Sequence, residues 1–242
     1  MTYETNDRFA QHFTETGKDA PPRYLGVRFD DGGTFLPQPG NTVVCHVVPG
    51  SRTAGALLAV RDALKTLPHG DRFAYTPPSS YHMTVFRGVI EGRREAGHWP
   101  AHLPFDTSID ETTRHYRERL SAFSAPPFRM RMVSVTPLGL VLTGATDADE
   151  STVRGIRDRL VAPFGYREPD HEDYTFHVTL AYVKGWLPAG AETVYLPALR
   201  RIADEFAAAV PVLELEAPAL CSFGDMTEFR PVLRLGEAAA AA

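Results

Sequence analysis

The sequence predicts a mixed fold of the α+β or α/β class, made of two similar lobes that share one core. Three observations point there. A strand, a helix and a second strand containing a histidine occur twice in the same order, and the two histidines, His82 and His177, stand 95 residues apart. The stretches around them alternate apolar and polar side chains, as half-buried strands do. The intervening segments each carry a single apolar stripe at helical spacing, the mark of a helix laid against a sheet.

Taken in order, residues 1–35 read as an N-terminal extension with a short helix at Asp7–Phe13 and turns at Pro21-Pro22 and Asp30-Asp31-Gly32-Gly33. Residues 36–236 read as one two-lobed domain, and 237–242, a run of alanines after Glu237, as a low-complexity tail. The first repeat opens with a strand at Thr42–Val48. A helix over 53–67 follows, with Leu57, Val60, Leu64 and Leu67 on one face, and then the strand Tyr81–Val89 with His82. The second repeat opens at Gly139–Thr143. Its helix is capped by Asp147 and Asp149, striped by Val153, Ile156 and Leu160 and closed by Pro163, and the strand Tyr174–Val183 holds His177.

After each histidine strand comes another helix, through Ile109, Tyr116, Leu120 and Phe123 in the first repeat and through Leu196, Leu199, Ile202, Phe206 and Val210 in the second. Each of these leads to a further strand, at Phe128–Met132 and at Leu213–Leu215, and a last one lies near Val232–Leu235. Gly92–Pro104, with Arg93, Arg94, His98 and His102, interrupts the symmetry as an insertion and reads as a solvated loop or as a loop at the mouth of a site.

Composition narrows the function classes. A chain of 242 residues, 43% hydrophobic and 23% charged, is long enough to bury a sizeable core. The net charge of −5 lacks the basic surface that a long nucleic acid demands, so a nucleotide-like ligand would be small or a strand end. Cys45 and Cys221 form no CxxC pair and read as buried free thiols in a reducing compartment. No apolar stretch approaches a membrane span, and residues 1–17 lack a signal core, so a cytoplasmic monomer is expected, with no membrane partner.

The chemistry sits in the histidine strands. Ser80-Tyr81-His82-Met83-Thr84-Val85 aligns with Thr175-Phe176-His177-Val178-Thr179-Leu180 as hydroxyl, aromatic, His, apolar, Thr, apolar. Residues two apart share a strand face, so His82 lies beside Thr84 and His177 beside Thr179. Cleaving a phosphodiester requires one group to take a proton from the attacking oxygen and another to give one to the leaving oxygen. Imidazole, with a pKa near ~6.5, serves in either role. The threonine hydroxyls are donors for the non-bridging phosphate oxygens. No HxxxH or equivalent ligand spacing and no glycine-rich phosphate loop occurs, so neither a metal nor a cofactor is expected.

These paired motifs resemble the signatures of the 2H phosphoesterase superfamily, which includes RNA 2′,3′-cyclic phosphodiesterases and related RNA-end enzymes. The stretch Phe35–His46, together with Tyr81–Gly88, resembles its DUF1868 branch. The resemblance spans 35–235. It implies a bilobal fold with two pseudo-symmetric lobes of antiparallel-rich sheet, helices outside and a central cleft. It further implies metal-independent cleavage of a 2′,3′-cyclic or 2′-5′ phosphodiester of a nucleotide or RNA end. Carried over residue by residue, His82 and His177 become acid and base, and Thr84 and Thr179 the phosphate ligands. The alternative is a non-catalytic protein that holds a nucleotide or phosphorylated metabolite in the same cleft. Three weaker candidates lie nearby: strict alternation turns Arg87 away from His82 and Phe86 toward it, and the facing of His46 is open.

Overall fold

The computed structural model describes residues 5–236; the alanine tail and the first four residues lie outside the described part. The described residues form five α-helices and nine strands. The main sheet is built from β1 (Gly40–His46), β3 (His82–Ile90), β4 (Met130–Thr136), β5 (Gly139–Gly144), β6 (Phe176–Thr179), β8 (Ala219–Phe223) and β9 (Arg230–Arg234). Its order is β4-β5-β6-β3-β1-β8-β9, with antiparallel pairing throughout. A separate ribbon pairs β2 (Phe73–Tyr75) with β7 (Ala181–Val183).

The two histidine strands are neighbours at the middle of this sheet. β3 and β6 meet antiparallel at Met83 and Val178, the residue after each histidine. On either side of that meeting point, β1 and β5 hold equivalent places, and so do β8 and β4. The outer strands are exchanged: β4 follows the first repeat in the chain but pairs with β5 of the second, while β8 follows the second and pairs with β1 of the first. Neither repeat can therefore complete its half of the sheet alone.

The helices are α1 (Asn6–Phe13), α2 (Arg52–Thr66), α3 (Ile109–Arg119), α4 (Asp147–Phe164) and α5 (Glu192–Ala209). Their starts follow from local chemistry. Ser51 accepts from the Ala54 N–H, and Ser108 with Glu111 and Thr146 with Asp149 close reciprocal capping boxes. The cap of α4 is thus Thr146, with Asp149 as its partner. That helix runs one residue past Pro163 and stops at Gly165, which takes the left-handed conformation. α4 packs on β3 and β5, α3 on α4, β1 and β3, α5 on β4, and α1 and α2 on α5. Phe9 and Phe13 of α1 belong to the main core, so this part of the extension is docked into the molecule.

That core takes in Val43, Cys45, Met83, Val85, Phe86 and Val178 of the sheet. A second, smaller apolar cluster of Val44, Ala219, Cys221, Met226 and Phe229 forms around the other face of β1 and β8, with Phe35 and Tyr182 packed against it. Cys45 and Cys221 are buried free thiols, and burial pushes both thiols up in pKa.

Several sequence expectations shift. The long strand at Tyr174–Val183 is broken after Thr179, and its second piece leaves for the β2 ribbon. Leu213–Leu215 supplies only an isolated bridge to Val47, and the strand proper starts at Ala219. The insertion is anchored, with Trp99 buried, its indole N–H donating to the Pro104 carbonyl at 3.0 Å.

Gly139, at the turn into β5, sits at φ 133°. A Cβ there would run into the Val178 carbonyl oxygen, next to the second motif. Gly139→Ala is expected to lose about 1–3 kcal/mol from backbone strain alone, with the clash adding to it. Denaturant melts of the two proteins check this; an unchanged midpoint would show that the turn relaxes freely.

Candidate active site

Met83 and Val178 both point into the core, at 0% and 1% exposure, so their flanking residues point to the opposite face. The register sets His82 across from Thr179 and Thr84 across from His177. The four motif residues thus form a compact two-by-two patch. Each histidine faces the other motif's threonine, and the two histidines lie on a diagonal. Diagonal neighbours of this kind stand about 7–8 Å apart along the backbone.

The two imidazoles are held identically. His82 Nδ1 lies 2.6 Å from the Ser80 carbonyl, and His177 Nδ1 lies 2.8 Å from the Thr175 carbonyl, in each case two residues back. A carbonyl only accepts, so Nδ1 carries the proton in both rings. In the neutral form Nε2 is then left as the basic atom. The hydroxyl residue that opens each motif therefore serves through its backbone: the carbonyls of Ser80 and Thr175 fix tautomer and ring orientation.

The surroundings separate the two rings. His82 is half-buried, with the Phe229 ring 4.1 Å from it, centroid to centroid, and His46 opposite it on β1 at 6.3 Å. Desolvation lowers its pKa to about 3, opposed by the Ser80 carbonyl and reinforced by the charges of His46 and His177. His177 is the more exposed of the two, with the Tyr174 ring at 6.0 Å. Its pKa is lowered too, first by desolvation and, against the Thr175 carbonyl, by the positive charge of Arg87.

Arg87 is on the side of His82 and Thr84, contrary to strict alternation. Between β1 and β3 the register slips by one residue, from Val44 opposite Thr84 to Val43 opposite Phe86, so Val85 is an extra residue in β3. This β-bulge puts Val85 and Phe86 on the same, core side and turns Arg87 to the side of His82 and Thr84. Phe86 is 1% exposed against Phe164, and the stacking role considered for it falls away.

The Arg87 guanidinium pairs with Glu168 and Asp170 and lies 5.4 Å from the Tyr174 ring centre. Glu168 is itself buried and also faces Arg93 at 3.1 Å and His98 at 3.2 Å, so the insertion is tied to the carboxylate that holds Arg87. It is not a freely solvated loop. Tyr174 completes the group: it is buried, its ring lies 6.0 Å from that of His177, and the Arg87 guanidinium stands over it.

His46, Arg87, Tyr174 and Phe229 are thus gathered around the four motif residues. His46 lies in a strand whose two faces are both covered, so polarity could not tell its facing. Phe229 arrives from the far end of the chain and leaves no local signal. The extension also borders this side: Phe29 and Phe35 contact Tyr182 at 5.8 and 6.1 Å, beside the cluster that includes Phe229. Among the described residues no group of three or more His, Cys, Asp or Glu side chains is arranged to hold a metal ion, and no helix is long and apolar enough to cross a membrane.

The family model named 2H-phosphodiest, described as a domain of unknown function (DUF1868), matches residues 28–141. That range contains His82, Thr84 and Arg87 and ends before His177. The crystal structure of the conserved protein of unknown function ATU0111 from Agrobacterium tumefaciens superposes with a TM-score of 0.90. It is 44% identical, and the match covers 92% of this chain and 96% of that one. No curated protein matches the chain.

Proposed function

Because the chain belongs to the 2H-phosphodiest (DUF1868) family, we propose that it is a metal-independent phosphodiesterase acting on a 2′,3′-cyclic or 2′-5′ phosphodiester of a nucleotide or RNA end. The observation that carries this reading is the crossing of β3 and β6, which sets two imidazoles and two threonines on one face, with both Nδ1 atoms committed to backbone carbonyls. The two halves of the sheet are the lobes of the proposed cleft. The scissile phosphate lies between His82 and His177, with Thr84 and Thr179 donating to its non-bridging oxygens and Arg87 balancing its charge.

The different surroundings of the two rings support a division of roles. His82, desolvated under Phe229, is neutral over the working range and is the general base. Its Nε2 takes a proton from water as the water oxygen forms its bond to phosphorus. His177, the more open ring, is the general acid: its Nε2–H passes to the ribose oxygen as that P–O bond breaks, leaving a phosphomonoester. For a cyclic substrate, water adds and nothing departs.

The pH dependence follows with a definite sign. The base must be neutral, so activity falls as pH drops toward the low pKa of His82. The acid must be protonated, so activity falls as pH rises through the pKa of His177, which lies below the ordinary histidine value. The kcat/KM profile is expected to be a bell with its optimum on the acidic side of about 6.5. In kcat the basic limb moves upward, because the bound phosphate anion favours the imidazolium. A kcat/KM profile still rising above neutral pH would refute the role assignment.

The activity itself is tested with a panel of 2′,3′-cyclic nucleotides and short 2′-5′ oligonucleotides, with and without chelator. Turnover that persists in chelator is the expected result. Tight binding across the panel with no turnover would make the protein a nucleotide- or phosphometabolite-binding one instead.

A further inference from the structure

We propose that Arg157, a buried guanidinium on α4, is a positioning residue that fixes the phosphate-binding side of the cleft; the inference rests on the function read above. Arg157 is 2% exposed, in the middle of the apolar stripe of α4 formed by Val153, Ile156, Leu160 and Phe164. Among the described residues no carboxylate lies within ion-pair distance of it, and its Nε has no hydrogen-bond partner. Burial lowers its pKa to about 10. A buried cation without a counter-ion is an unfavourable choice where leucine or methionine would fill the same stripe.

Each group it does touch belongs to the frame of the site. Nη1 donates to the Val85 carbonyl at 2.5 Å. Val85 is the extra residue of the bulge, and the bulge is what turns Arg87 into the cleft. Nη2 donates to the His171 carbonyl at 3.3 Å, which steadies the loop bearing Glu168 and Asp170, the two carboxylates that hold Arg87. The guanidinium carbon lies 4.0 Å from the Tyr174 ring centre. Tyr174 in turn flanks His177, with the two ring centres 6.0 Å apart. One side chain thus ties the first motif's strand to the second motif's loop. Its guanidinium geometry is what permits two carbonyls and a ring face to be served at once, which an ammonium cannot do.

A double-mutant cycle between Arg157 and Arg87 separates positioning from general stability. Arg157→Met is expected to lower kcat/KM about 10–100-fold, the scale of a small misplacement of reacting groups. Arg157→Lys is expected to recover part of that loss. The decisive value is the double variant: if Arg157 acts through Arg87, R87M/R157M falls to the level of R87M, within about twofold. A purely structural role would leave the two losses multiplying. A folded R157M at parental turnover, or multiplying losses, would overturn the proposal.

Should R157M fail to fold, Arg157→Lys carries the test: it keeps the charge and loses the fork, and is expected to lower kcat/KM about 2–10-fold in the parent but not in an Arg87→Met background; parental turnover in a folded R157K, or losses that multiply, would overturn the proposal. The same cycle is read in the affinity for inorganic phosphate by calorimetry. A parent protein that binds phosphate yet turns over no substrate removes the enzymatic reading while leaving the positioning role measurable. A parent that neither binds nor turns over removes both.

Discussion

His177→Ala and His82→Ala are each expected to lower kcat/KM on the preferred cyclic or 2′-5′ substrate by about 10²–10⁴-fold, the usual contribution of one positioned proton-transfer group. Neither ring anchors the core. Met83 and Val178 do that from the other face, so both variants should fold and give the parental far-ultraviolet spectrum. The two should differ in stability. His177 is exposed, and its loss should leave the melting temperature near the parent's. His82 supports Phe229 at 4.1 Å, and its loss should destabilise the β8–β9 side measurably. Their kinetic effects should also be far from additive, because base and acid serve one transition state. Turnover within a few-fold of the parent in either variant would show that the ring concerned is no proton-transfer group.

Arg87→Met is expected to follow closely, with kcat/KM down about 10²–10³-fold, the loss seen when a donor aimed at developing charge is removed. Much of it should fall on kcat, since charge on the phosphoryl oxygens grows toward the transition state. Arg87 also stabilises a buried carboxylate. Its removal leaves Glu168 with Arg93 and His98, and the expected loss of stability is about 1–3 kcal/mol. Arg87→Lys keeps the charge and loses the fork that reaches Glu168, Asp170 and a substrate oxygen together, so it should restore stability better than turnover. Measuring kcat, KM and the urea midpoint for both variants checks this. Normal kinetics with lowered stability in the Arg87→Met protein would reduce Arg87 to a structural ion pair.

How far the sequence alone reached depends on the distance over which each feature is encoded. The long helices and the first histidine strand are written in periodicities of 3.6 and 2 and are legible to within a few residues, whereas the second histidine strand breaks after Thr179, where its tail leaves to pair with β2. β2 and β7 are three residues each, too short for alternation to register. The exchange of β4 and β8 between the halves is a matter of pairing partners, which periodicity does not specify. Arg87 is the instructive case. Val85-Phe86, two apolar neighbours in an otherwise alternating strand, is the trace of the bulge, and reading it would have turned Arg87 inward. Tyr174, three residues before His177, is an aromatic whose partners Arg87 and Arg157 come from other elements. Phe229 and Arg157 act across the fold and carry no mark of it locally.

The claim on which all of this turns is that His82 and His177 share one anion between them. A titration with inorganic phosphate, following the Cε1–H proton resonance of each ring assigned through the His82→Ala and His177→Ala proteins, tests it directly. Both resonances should move with a single dissociation constant, and both ring pKa values should rise in the complex, since the bound anion favours the imidazolium form. Movement of one ring alone, or two unrelated dissociation constants, would contradict a shared site.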